Sequence, residues 1–176
     1  MRSFRPSWGA AMIVIQTERI TDQPNAAQAS LLSLNNLHAR ETSFLTPETW
    51  KKLLENAFAA TCVGGKAAFL IAFDHQATYE NFNFVWLRTR LTRFVYVDRV
   101  VVSDEHRGEG LGTHLYHDLI ARAQNNGLDK LVCEVNVDPP NPGSDTFHQK
   151  LGFTEIGQAS LPHADKTVRY LVKNLD

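Results

Sequence analysis

Cysteine is scarce in this chain: Cys62 and Cys133 are the only two among 176 residues, too few for a disulfide-stapled fold or a cysteine-rich metal centre. Both sit inside apolar runs, where the expectation is a buried free thiol in a reducing compartment. Long apolar runs are missing as well. No stretch approaches the roughly 20 residues needed to cross a bilayer, and the start Met1-Arg-Ser-Phe-Arg-Pro-Ser-Trp lacks the apolar core of a signal peptide. Neither sign of charge is in excess. Eighteen Lys and Arg stand against 19 Asp and Glu, for a net charge of −1, which argues against a general binder of nucleic acid. Lysine is absent between Lys66 and Lys130, and with it the Gly-Lys-Ser/Thr of a Walker phosphate loop. These absences point to a cytoplasmic globular protein with no metal site, no membrane partner and no nucleic-acid partner.

What is present is concentrated in one run. Val100, Val101 and Val102 close a β-branched strand, Ser103 to His106 follow, and Arg107-Gly108-Glu109-Gly110-Leu111-Gly112-Thr113 leads directly into a helical pattern. Bare backbone at the three glycines lets an anion approach the amide hydrogens. The helix start adds unpaired N–H groups and a positive dipole end, and Arg107 adds a fixed charge. A pyrophosphate suits such a cradle. The spacing G-x-G-x-G and the position past mid-chain differ from a dinucleotide fingerprint, which opens the first βαβ unit with G-x-G-x-x-G.

Hydrophobic patterning orders the rest. Met12 to Gln16 reads as a first strand, preceded by an N-terminal arm over residues 1–11, with Met12 an alternative start; residues 12–176 read as one domain. Pro24 to Ala39 is helical, and Thr46-Pro47-Glu48 opens a second helix with a cap, a proline at the first position and an acid in the first turn. Gly64-Gly65 marks a two-residue hairpin turn between strands 59–63 and 66–73. Phe94 to Val102 is the long central strand. Leu111, Leu115, Leu119, Ile120 and Ala123 recur at helical spacing up to Gly127, a strand runs from Leu131 to Val137, and Asn141-Pro142 caps a short helix. Segments 153–158 and 166–172 form a final hairpin.

Arg107-Gly108-Glu109-Gly110-Leu111-Gly112 resembles the acyl-CoA loop, Arg/Gln-x-x-Gly-x-Gly/Ala, of the GNAT superfamily of N-acetyltransferases. A second block agrees: Asn141, Ser144, His148, Gly152 and Phe153 fall on the spacing of Asn-x-x-Ala-x-x-x-Tyr-x-x-x-Gly-Phe. Two motifs in order, about 30 residues apart, are far more specific than either alone.

The resemblance implies an α/β (α+β) fold, with a mixed β-sheet of about six to seven strands flanked by about four helices and parallel central strands splayed around the cofactor. It implies acetyl-CoA as acyl donor and direct attack by a primary amine of a small molecule or amino-acid derivative in a ternary complex. Val100, Val101 and Val102 would pair with the pantetheine arm through backbone groups, one of which faces the thioester carbonyl. Arg107 to Thr113 would hold the pyrophosphate, with Asn141 and Ser144 in the second motif. Asn141 also reads simply as a helix cap.

Acetyl transfer needs a base, because an alkyl ammonium with a pKa near 10.4 does not attack at neutral pH. Asp98 is the candidate on the central strand, where a period of two puts it on one face with Val100 and Val102; an ion pair with Arg99 is the rival reading. Glu134 on the neighbouring strand is the reserve. The family's acid is a tyrosine where this chain has His148, which either donates to the leaving thiolate or only hydrogen-bonds nearby; Tyr96 and Tyr116 are other hydroxyls. For the acceptor, the loop 35–44 offers Glu41 to a cationic amine. The segment 74–93 offers Tyr79, Phe82, Phe84 and Trp86 as an aromatic wall, and Arg88, Arg90 and Arg93 for an acid group or the cofactor's 3′-phosphate. The alternation of Phe82, Phe84 and Trp86 also fits an extra strand in a homodimer interface. A non-catalytic acyl-CoA-binding or sensing module, and a nucleotide-binding protein using the same cradle, are the rival functions.

Overall fold

The computed structural model describes residues 15–162 and 164–176. The elements run β1 (Glu18–Arg19), a 3₁₀ turn, α1 (Asn25–Leu37), α2 (Ala39–Thr42), α3 (Pro47–Asn56), β2 (Ala59–Val63), β3 (Ala68–Asp74), α4 (Phe82–Arg88) and β4 (Phe94–Val102). A second 3₁₀ turn, α5 (Leu111–Asn125), β5 (Lys130–Asp138), α6 (Pro142–Lys150), β6 (Thr154–Ser160) and β7 (Thr167–Asn174) complete the chain. The seven strands form one sheet in the order β1-β2-β3-β4-β5-β7-β6. All neighbours are antiparallel except β4 and β5, whose parallel pairing follows from the α5 crossover between them.

Alternation along β3 shows how the sheet divides two cores. Phe69, Ile71 and Phe73 face one side, packing with Ile20, Leu31, Trp50, Phe84, Tyr96 and Tyr170. Ala68, Leu70 and Ala72 face the other, where α5 lays Leu111, Leu115, Tyr116, Leu119 and Ala123 against Val95, Val97, Cys133 and Phe153. The helices hold their starts as the capping chemistry dictates. The Thr46 hydroxyl accepts from the Thr49 N–H while the Thr49 hydroxyl accepts from the Thr46 N–H, with Pro47 at the first helical position. Asn141 caps α6 by accepting from the Ser144 N–H.

Several expectations are corrected. Of the strand expected at 12–16, residues 12–14 lie outside the described residues, as does the arm 1–11. Ile15 and Gln16 carry no strand, and β1 is instead Glu18–Arg19 against Thr61 and Cys62. Gly64 and Gly65 do take positive φ, but Val63 pairs with Ala68, so the loop holds four residues rather than two. The expected single helix 24–39 breaks at His38, after which α2 adds one turn. Phe82, Phe84 and Trp86 belong to helix α4, not to a strand. Asn81 caps it, and its buried residues Asn83, Phe84 and Leu87 follow a helical rather than a two-residue period. Phe84 is fully buried in the chain's own core, which removes it from any dimer interface.

Candidate active site

The glycine turn after β4 has the geometry of an anion cradle. Gly108 and Gly110 stand at φ +83° and +78°, and a Cβ on either would meet nothing within 4 Å among the described residues, so the backbone is open to an approaching group. Gly112 is different. A Cβ there would lie 3.2 Å from the Phe147 ring, so its hydrogen lets α5 pack closely on α6. Gly110 stands at the N-cap of α5, so among the described residues the first turn, Leu111 to Thr113, has no side-chain cap from that position. Arg107 meets Asp104 at 2.9 Å in an exposed pair, and Glu109 meets His106 at 3.1 Å. An exposed pair is weak enough for a phosphate to displace. Glycine torsions, free amides and Arg107 together fit a pyrophosphate.

Beyond the cradle the central strands part. β4 and β5 pair only at Phe94 with Lys130, Val95 with Leu131 and Tyr96 with Val132, although both strands continue for six residues more. The unpaired edges border a narrow cavity of about 100 Å³ lined by Val97, Val100, Tyr116, Cys133, Val135, Asn141, Ser144 and His148. Val100 and Val102 pack toward α5, while Val101 is buried on the opposite side.

A β-bulge sets what faces the site. Opposite β3, Ile71 pairs with Arg99 and Ala72 with Val97, so Asp98 is the extra residue. The bulge breaks the expected period of two: Asp98 does not share a face with Val100 and Val102. Asp98 and Arg99 instead meet one another, Arg99 Nε donating to Asp98 Oδ2 at 2.6 Å, with side chains 3% and 4% exposed. The Tyr79 hydroxyl donates to Asp98 Oδ1 at 2.7 Å, and Arg99 donates to Asn35 Oδ1 of α1 at 2.8 Å. Both rival readings of Asp98 therefore meet at one place. It is ion-paired with Arg99, and it lines a second, larger cavity.

That cavity measures about 500 Å³, between the sheet and helices α2 and α3. Glu41, Thr42, Asp98, Arg99, Glu134 and Asn136 line both cavities, so the two meet there. Glu134 is the polar centre of the junction. Its Oε1 accepts from Asn83 Nδ2 at 2.9 Å and from the Tyr96 hydroxyl at 3.1 Å, and Asn83 in turn accepts from the Tyr170 hydroxyl. Oε2 is buried without a hydrogen-bond partner among the described residues. Burial, then the neighbouring Asp98 charge, pushes the Glu134 carboxyl up to about 8, against the opposing pull of its hydrogen bonds. Burial likewise raises the Tyr79 and Tyr96 phenols, with the carboxylates adding to it.

His148 is buried among aromatic rings. Its Nδ1 lies 2.8 Å from the Ser144 carbonyl oxygen and 3.2 Å from the Ser144 hydroxyl, so Nδ1 carries the hydrogen. Nε2 then accepts from the Tyr116 hydroxyl at 2.7 Å. Burial holds the imidazole below its usual pKa, so the ring is neutral at pH 7.

Sequence reasoning placed Phe84 and Trp86 at the acceptor; neither lines the cavity. Phe84 is core, and Trp86 stacks on Tyr170 at 3.8 Å. Arg88 and Arg90 cover the Phe84 and Trp86 rings, and Arg93 pairs with Asp129, so each of the three is engaged with the chain's own side chains. Glu41 does line the cavity, exposed at its mouth. Asn35 falls inside the expected acceptor loop 35–44 but serves as a partner of Arg99; missed altogether were Asn83 and Tyr170, whose only sequence signal is that polar residues sit among apolar neighbours.

A parallel pair that splays beside a glycine cradle and opens on a polar cavity defines a GNAT-type α/β fold. Residues 33–153 match the acetyltransferase (GNAT) family, and the chain belongs to that family. The L-methionine sulfoximine/L-methionine sulfone acetyltransferase of Pseudomonas aeruginosa is 41% identical over 59 residues, 34% of this chain and 33% of that protein. An uncharacterized N-acetyltransferase of Bacillus subtilis is 32% identical over 62 residues, 35% of this chain and 24% of that protein. The chain thus matches about a quarter to a third of the length of these relatives. In fold it is similar to a GNAT-family acetyltransferase of Streptococcus pneumoniae, with TM-score 0.63 and 20% identity over 93% of this chain and 99% of that one. It is also similar to a chain of the NatC complex bound to Gag peptide and CoA, with TM-score 0.71 and 14% identity over 92% and 99%.

Proposed function

We propose that the protein transfers the acetyl group of acetyl-CoA to a primary amine of a small molecule or amino-acid derivative, with both substrates bound at once. The observation that carries this reading is Glu134: a buried carboxyl with an unpaired oxygen, at the junction of the strand gap and the larger cavity. Family membership supports acetyl transfer, and the relative acting on L-methionine sulfoximine supports a small acceptor. The buried, unbridged thiols of Cys62 and Cys133 support a cytoplasmic setting.

Acetyl-CoA, when bound, supplies an activated thioester. Arg107 and the amides of Gly108 and of Gly110 to Thr113 would hold the pyrophosphate, the Glu109 amide and side chain both being turned to His106. The free edge at Val100 to Val102, together with Asn141 and Ser144, borders the pantetheine arm. The acceptor's ammonium enters the larger cavity, and Glu134 takes its proton, directly or through one water. Asp98 acts through Glu134. Engaged by Arg99 and Tyr79, it keeps its own oxygens occupied while its charge adds to the burial that holds the Glu134 carboxyl near the working pH. His148 positions the Tyr116 hydroxyl in the gap rather than donating a proton itself, because Nε2 is an acceptor there. As the C–N bond forms and the C–S bond breaks, the second proton shed by the nitrogen would pass to the departing thiolate, which leaves as the free thiol.

Purified protein incubated with acetyl-CoA and an amine panel is expected to release free thiol. Glu134→Gln should lower kcat/KM by about 10²-fold or more, the usual contribution of a positioned base. The wild-type rate should rise with pH toward about 8, and the variant should lose that limb. A non-catalytic acyl-CoA-binding module is the second reading, favoured by the engaged His148 where the family carries its acid. It predicts CoA binding with no thiol release from any amine.

A further inference from the structure

The larger cavity carries buried charges on the sheet and exposed or half-buried charges on its other walls. At the buried end Asp98 is matched by Arg99, which leaves Glu134 to meet a cation. The middle is apolar, walled by Leu45, Leu53, Phe73, Leu161 and Val168. The mouth carries two lysines from different elements. Lys52 is exposed on α3, and Lys166, half-buried just before β7, donates from Nζ to the Arg40 carbonyl of α2 at 2.7 Å. That carbonyl fixes the Lys166 ammonium at the opening and uses one of its three hydrogens. Lys52 forms no ion pair among the described residues, whereas its neighbour Lys51 meets Glu55 at 3.7 Å. Glu41, where the two cavities meet, is the exposed acid of the lining, so among the described lining residues Lys52 and Lys166 leave the exposed rim one positive charge in excess.

We propose that the acceptor carries, besides its amine, an anionic group that docks between Lys52 and Lys166 while a short aliphatic spacer crosses the apolar wall. The inference rests on the amine-acetylation reading and narrows its substrate to amino carboxylates and their anionic isosteres. A neutral amine fills the buried end equally well but leaves the two lysines solvated, so it gains nothing from the mouth. Docking at the mouth contributes equally before and during acetyl transfer, so its loss raises KM and spares kcat.

The test compares ω-amino carboxylates of three to six carbons, and leucine, with the corresponding carboxamides, which have the same shape without the charge. With full-length protein and acetyl-CoA, the carboxylates should exceed their amides by about tenfold in kcat/KM, as for one charge-assisted contact. The double variant Lys52→Gln/Lys166→Gln should bring each pair to within about twofold through KM alone. Lys51→Gln, on the same helix and outside the cavity, should keep the preference. Amides used as well as carboxylates, or a preference that survives the double variant, would overturn the proposal. Calorimetric binding of the same pairs without acetyl-CoA separates the two readings. Carboxylate-dependent binding lost in the double variant but with no acetylation of any amine would sink the transferase and keep the docking site.

Discussion

Glu134 and His148 are buried groups pushed in opposite directions, and each leaves a signature on stability. The Glu134 carboxyl sits near 8 in the native state against an ordinary value of 4.5. The native state therefore binds the proton more tightly than the unfolded chain. Its contribution is complete below about pH 4.5 and is lost as pH rises through about 8. His148 is held below 6.5, so its contribution is complete above pH 6.5 and is lost as pH falls below that value. Thermal midpoints of Glu134→Gln minus wild type are expected to climb between pH 5 and 8, and those of His148→Gln minus wild type to climb between pH 6.5 and 5. A flat difference for either variant would show that its group titrates alike in native and unfolded chains. Both residues were legible from the sequence as polar positions on the right elements. Their partners were not: Tyr116 and His148 lie 32 residues apart, Asn83 and Glu134 51, Asn35 and Arg99 64. Side-chain networks of that span have no local pattern to read.

At the scale of elements, periodicity read well where one face is buried and poorly where the backbone departs from its own repeat. β4 and α5 emerge from the sequence with nearly their observed bounds, because seven β-branched or aromatic residues in a run of nine and a leucine repeat leave little choice. The bulge at Asp98 defeats the same logic, since one inserted residue reverses every face after it. In α4, alternation at Phe82, Phe84 and Trp86 imitates a strand over five residues, and only Asn83 and Leu87 beside Phe84 reveal the helix. The two assignments of Phe84 predict different defects. As a core residue it packs edge-on against Phe94, with Tyr79 and Tyr96 beside it, so Phe84→Ala should cost about 3 to 5 kcal/mol in denaturant unfolding. KM for the amine should stay within about twofold. Little loss of stability with a large rise in KM would return Phe84 to the acceptor wall.

For the whole molecule, the decisive fact is how little backbone pairing joins its two halves, although their side chains share both cores. Strands β1 to β4 and strands β5 to β7 are each knit by antiparallel pairing, but the seam between them holds only three parallel residue pairs. A ligand lying in the gap beyond Tyr96 bridges both halves, whereas a ligand held by the glycine turn alone touches one. Acetyl-CoA and CoA have a pantetheine arm to fill the gap; ATP has only phosphates for the turn. At about 100 times its Kd, a ligand that binds only the native state adds about 2.7 kcal/mol, or roughly 5 to 10 °C in Tm for a domain of this size. The expected order is acetyl-CoA and CoA well above ATP at matched concentration. Hydrogen exchange then locates the effect. The CoA species should slow amides in both 97–102 and 133–138, the two edges of the gap, while ATP slows at most 107–113. Equal stabilisation by ATP, or protection confined to the turn with CoA bound, would mean that the parted strands do not receive the cofactor and that the acetyl group never comes near Glu134.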